Sequence, residues 1–119
     1  MTLLYHCADL LWSARLAAAA QAASVTYEQI ADPEEATASV RRLHGDACAI
    51  IDLTAADALE VIASLHLARQ ELGCETKLRI VAFGPHVDRD RFASASAAGA
   101  DKVVPRGWLV KHLNSVLLS

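Results

Sequence analysis

Apolar residues along this chain alternate between two textures, short dense runs and longer stretches with helical spacing. Leu3 to Cys7 is a short, mostly apolar run that leads to Asp9, an N-cap type of residue, and a helical pattern follows through Leu10, Ala14, Ala17 and Ala20. Val25 to Ile30 is rich in β-branched and aromatic residues and alternates in polarity, which predicts an edge strand with one wet face. Asp32-Pro33-Glu34-Glu35 combines an N-cap, a proline at the first helical position and acids in the first turn; Ala36, Val40 and Leu43 supply the buried stripe, and His44-Gly45 closes the helix. Ala47 to Leu53 is continuously apolar except for Asp52 near its end, the pattern of a strand buried on both faces. Thr54, with Asp57 three residues on, can cap a helix whose core face is Val61, Ile62, Leu65, Ala68 and Leu72, before a stop at Gly73. Leu78 to Gly84 predicts a second central strand. The loop Pro85 to Asp88 enters an alanine-rich helix ended by Gly99, Lys102 to Pro105 is a short fifth strand, and a last helix buries Leu109, Leu113, Val116 and Leu117.

Strict alternation of strands and helices with short connections predicts an α/β fold: a doubly wound, five-stranded parallel sheet in the order 2-1-3-4-5, as one domain over residues 1–119. In such sheets the functional crevice lies at the carboxyl ends of the strands. Chain order places there Cys7, Ala8 and Asp9; Asp52, Leu53 and Thr54; Gly84, Pro85 and His86; and Arg106 with Gly107. Asp9, Asp52 and Arg106 are expected to converge, with His86 nearby.

Composition removes several function classes. A net charge of -3 without a long basic run argues against a nucleic-acid surface. Cys7, Cys48 and Cys74 are odd in number and lack paired spacing, which suits buried thiols in a reducing compartment and predicts neither a disulfide framework nor a zinc site. The apolar start is interrupted by His6, Asp9 and Arg15, unlike a secretory leader, and no stretch reaches the roughly 20 apolar residues of a membrane span; a cytoplasmic location is expected. The few glycines form no phosphate-binding loop, dinucleotide fingerprint or nucleophile elbow, so no catalytic residues are expected.

Two stretches resemble the response-regulator receiver family, the phosphoacceptor domains of bacterial two-component signalling, and the likeness extends over essentially the whole chain. Ala49-Ile50-Ile51-Asp52-Leu53 is similar to that family's third strand with its phosphoacceptor aspartate. Ala98-Gly99-Ala100-Asp101, followed by Val103-Val104-Pro105-Arg106, is similar to its Ala-Gly-Ala-Asp turn and fifth strand, with the same spacing from glycine to the basic residue. The resemblance implies a flavodoxin-like receiver architecture, with Asp52 at the phosphoacceptor position.

Carried over position by position, the phosphorylation machinery departs from the family pattern. The acidic pair that holds Mg²⁺ after the first strand is replaced by Cys7 and Ala8, leaving Asp9 one residue on. A thiol and a methyl are poor ligands for a hard cation, so Mg²⁺ is expected only if Asp9 and Asp52 formed an atypical site. The expected hydroxyl after the fourth strand is Phe83 or Gly84, the lysine is Arg106, and the proline after it is Gly107. These departures imply a degenerate receiver that keeps the fold and not the phosphorylation.

Each candidate also has a structural role open to it. Asp52 can cap a helix or pair with Arg106, whose planar fork suits a bidentate carboxylate. Asp9 can be an N-cap and His86 a solvated turn residue. His6 suits a packed or edge-strand position, while His44, His66 and His112 show no metal-ligand spacing. Trp12 and Trp108 suit packing, although Trp108 falls where the receiver family places an aromatic near its partner-binding face. The expectation is a stand-alone signalling or adaptor domain that binds another protein or itself. The alternatives are a small-anion or metabolite sensor using the helix start near Gly84 to His86 with Arg106, and an atypical phosphoacceptor at Asp52.

Overall fold

The computed structural model describes residues 1–73 and 76–118; Cys74 lies outside the described residues. Its elements run β1 (Thr2–His6), α1 (Leu10–Ala22), β2 (Thr26–Gln29), α2 (Pro33–Arg41), β3 (Ala47–Asp52), α3 (Ala58–Arg69), β4 (Leu78–Gly84), α4 (Arg89–Ala98), β5 (Lys102–Pro105) and α5 (Arg106–Leu118). All strand pairings are parallel and the order is β2-β1-β3-β4-β5, the flavodoxin-like architecture expected from the alternation.

Every residue of β3 is buried, as its unbroken apolar run requires of a strand covered on both faces. Side chains alternate between two cores. Ala47, Ala49 and Ile51 join Ala36 and Val40 of α2, Val61, Ile62 and Leu65 of α3, and Ala95 of α4. Cys48 and Ile50 join Trp12 and Leu16 of α1 and Leu109, Leu113, Val116 and Leu117 of α5. Complete burial of side chains such as Ile50 and Ile51 stabilises the fold by roughly 1.5–3 kcal/mol each.

Aspartates start three of the helices: the Asp9 side chain accepts from the Leu11 N–H, Asp32 from Glu35 and Asp88 from Arg91. Two expectations are corrected. The buried stripe of α1 is Trp12, Leu16 and Ala20, while Leu10 and Ala14 are exposed; the bulky indole and Leu16 win the core over the smaller alanines. Thr54, expected to cap α3 together with Asp57, instead donates its hydroxyl to Asp52; α3 starts at Ala58 after Asp57, which makes no side-chain cap bond and whose Oδ1 lies 2.7 Å from His6 Nε2.

The Ala-Gly-Ala-Asp turn has a packing explanation. Gly99 sits at φ +124°, and a Cβ there would fall inside the His66 side chain. Beyond it, Asp101 accepts from the Ile80 N–H and from both terminal nitrogens of Arg69, which also donates to the Leu78 and Gly99 carbonyls. Burial alone would raise the Asp101 pKa, but these donors outweigh it and hold the carboxyl below its ordinary value. The turn thereby fixes where β5 starts, and hence where it delivers Arg106.

Candidate functional site

The parallel sheet brings the carboxyl ends of β1, β3, β4 and β5 to one edge, where the crevice residues follow. Asp52, the last residue of β3, is paired in register with Phe83 of β4 and has no solvent-accessible surface. Its Oδ1 accepts from the Thr54 backbone N–H at 2.9 Å and from the Thr54 hydroxyl at 2.7 Å. Thr54 itself is exposed. Oδ2 of Asp52 and Nε of Arg106 are buried without a hydrogen-bond partner. The pairing of Asp52 with Arg106 that the sequence left open is not formed: among the described residues the ion pairs are His6–Asp57, Arg41–Glu71, Arg42–Glu28 and Arg69–Asp101. Arg106 is the first residue of α5, directly after β5.

At the end of β1, Cys7 is partly buried and Asp9 is engaged as the cap of α1 at 2.8 Å. Burial pushes the Cys7 thiol up to about 12, and the negative charges of Asp52 and Asp9 act in the same direction; the Ser13 hydroxyl offsets part of the effect. A protonated thiol, a methyl at Ala8 and a carboxylate already bound to a backbone N–H do not make the oxygen shell of a hard divalent cation. No group of three or more His, Cys, Asp or Glu side chains among the described residues is arranged to hold a metal.

At the end of β4, Phe83 is fully buried and packs on Trp12 with ring centroids 4.6 Å apart and planes tilted by 46°. Phe83 and Asp52 lie side by side in the sheet, so an aromatic occupies the place beside the carboxylate where a hydroxyl is expected. Gly84 is buried against Leu53: a Cβ on Gly84 would lie 3.2 Å from the Leu53 Cβ. His86 is exposed in the turn between β4 and α4. Trp108 lies on α5 with the Lys102 ammonium 4.1 Å from its indole centroid and the His112 ring stacked on it at 4.1 Å and 14°.

Three residues that hold the crevice were not singled out as site residues. The buried His6 places Nδ1 2.7 Å from the Ile30 carbonyl and Nε2 2.7 Å from Asp57 Oδ1. Arg91 of α4 donates from Nε to the Leu53 carbonyl at 2.9 Å and from Nη2 to the Ala55 carbonyl at 3.0 Å. The loop between β3 and α3 is thus tied to β1 on one side and to α4 on the other. A histidine inside the apolar run of β1 was a legible signal for a buried polar partner. Arg91 carried none, because its role depends on how α4 packs over the loop.

No protein-family model and no curated protein matches the chain at the sequence level. Solved structures do share its fold. A response regulator from Burkholderia pseudomallei with a phosphorylated aspartic acid, calcium ion and citrate superposes with a TM-score of 0.74 at 17% identity, over 98% of this chain and 65% of that one. The receiver domain of Saccharomyces cerevisiae Ssk1, co-crystallised with the histidine phosphotransfer protein Ypd1, gives 0.74 at 14% identity, over 99% and 89%. The chemotaxis response regulator CheY4 of Vibrio cholerae gives 0.70 at 18% identity, over 98% of both chains. The present chain spans about two thirds of the Burkholderia protein's length and nearly all of CheY4. The fold is that of the response-regulator receiver. No helix among the described residues is long and apolar enough to cross a membrane.

Proposed function

We propose that the chain is a receiver-like signalling or adaptor domain that acts by binding another protein or a second copy of itself, in the cytoplasm, without normal aspartyl phosphorylation and without catalysis. The observation that carries this reading is the enclosure of Asp52: no accessible surface, and one carboxylate oxygen held by both the N–H and the hydroxyl of Thr54. A phosphoryl donor must reach a carboxylate oxygen in line, and the transferred group needs a cation, a hydroxyl donor and a lysine to offset its charge. In their places stand Cys7 with Ala8, Phe83, and Arg106. The tethers from His6 through Asp57 and from Arg91 hold the loop between β3 and α3, which supports a crevice fixed in one state. The co-crystal of the Ssk1 receiver with Ypd1 supports the general idea that such a fold docks another protein.

A small-anion sensor receives less support, because His86 lies exposed in its turn and the buried carboxylate of Asp52 adds negative charge to the same edge of the sheet. Intact-mass spectrometry after incubation with acetyl phosphate and Mg²⁺ tests the proposal. A single unmodified species is expected. A phosphorylated species that disappears in Asp52→Asn would contradict it.

A further inference from the structure

A cleft lies between α5 and the β4–β5 edge of the sheet. It has a volume of about 240 Å³, enough for one large side chain rather than a drug-sized ligand, and it opens broadly to solvent. Its floor is apolar, from Val81 and Val116, and one wall is the Trp108 indole. That indole is held rigid, with the Lys102 ammonium over one part of it and the His112 ring stacked on it; His112 in turn is fixed through its Nδ1, 2.8 Å from the Trp108 carbonyl oxygen. Arg79 spends one donor on the Val116 carbonyl at 2.7 Å, of the five that a guanidinium carries. No acidic residue lines the cleft, although acids outnumber Lys and Arg in the chain by 14 to 11.

We propose that this cleft docks a segment of a partner protein in which a large apolar side chain stands next to a carboxylate. The apolar group would rest on Val81, Val116 and the indole, and the carboxylate would meet Arg79 and Lys102. Charge complementarity selects this occupant: two cations beside an acid-free apolar floor repel a basic segment and leave a neutral one without a polar partner. A rigid aromatic flanked by arginine is also the composition of surface patches that carry binding energy. The side chains lie on the face of the sheet that packs α1 and α5, with Val81 and Val116 belonging to that core. This inference rests on the adaptor reading and names the chemistry of the contact.

The test is selection of short random peptides from a display library on the immobilised full-length chain, followed by synthesis of the enriched sequences in acetylated, amidated form. Amide and indole NMR shifts then locate their binding. The enriched peptides should pair Asp or Glu with Leu, Ile, Phe or Trp and should move Lys102, His112 and the Trp108 indole. Lys102→Glu and Ser115→Glu, both at exposed positions of the cleft, should each weaken binding about tenfold or more with an unchanged far-UV circular dichroism spectrum. Recovery of basic or uncharged sequences, failure to recover any binder, or wild-type affinity in both variants overturns the proposal. Binders that map to another surface overturn it while leaving the adaptor reading standing, since the response of Asp52 to phosphoryl mimics tests that reading separately.

Discussion

His6 and Asp57 form the tether that closes the crevice: the imidazole Nε2 lies 2.7 Å from the carboxylate, while Nδ1 lies 2.7 Å from the Ile30 carbonyl. Both ring nitrogens lie against acceptors, and the buried ring joins the end of β1, the residue after β2 and the turn before α3. His6→Ala is expected to cost about 1–2 kcal/mol, the lower part of the range for a charge-assisted bond because the Asp57 side chain is 39% exposed. Urea unfolding of the two proteins measures it, and a loss below about 0.5 kcal/mol would deny the tether a structural role.

Gly99→Ala should destabilise the domain by roughly 2 kcal/mol or more, combining a disfavoured positive φ with overlap of the His66 side chain. Gly107→Ala, where a Cβ meets nothing within 4 Å, should be neutral or stabilising by about 0.5 kcal/mol. Equal effects of the two substitutions in thermal unfolding would refute the packing account of the Ala-Gly-Ala-Asp turn.

Asp101 provides a pH dependence with a definite sign. Its folded pKa lies below the ordinary value of 3.8, so its contribution is fully present above that value and is lost as pH falls through the lower, folded pKa. The stability gap between wild type and Asp101→Asn should therefore be constant near neutrality and shrink below pH 3.8. With the side chain 45% exposed, the gap from the Arg69 pairing should be about 1 kcal/mol or less. A gap that widened with acidification, followed by urea unfolding at a series of pH values, would show that the charge is not held as described.

Cys7 and Cys48 should be inert. Burial raises Cys7 to about 12 and Cys48 to about 11, so at pH 8 roughly 10⁻⁴ to 10⁻³ of each is thiolate. Iodoacetamide labelling with peptide mapping should modify neither until the protein is unfolded. Labelling of native Cys7 at the rate of a small free thiol would contradict the described surroundings.

The fold was legible because its signals are local. The continuous run Ala47 to Asp52 marks a doubly covered strand, Asp32-Pro33 and Gly99 punctuate helices, and strict alternation leaves little freedom in topology. In α1 Trp12 packs in the core as expected, with Leu16 and Ala20, whereas Leu10 and Ala14 of the helical pattern are exposed, because alanine spacing fits several helix faces. At the site, Asp52 and the missing hydroxyl were readable from strand ends. The Thr54 bond to Asp52, the His6–Asp57 tether and the Arg91 clamp depend on separations of 2, 51 and 36 to 38 residues, and the long-range pair leaves no periodic trace. The Asp52–Arg106 pair that the sequence left open is not among the ion pairs of the described residues: sequence order puts both at one edge, which does not by itself make a side-chain contact.

An NMR titration of the chain with Mg²⁺ and then beryllofluoride, following the amides of Asp52, Thr54, Gly84 and Arg106, tests the enclosed carboxylate most directly. The proposed receiver without normal phosphorylation predicts no saturable shifts at these positions. Saturable shifts that begin at Asp52 and spread to β5 and α5 would identify a working phosphoacceptor and contradict the account.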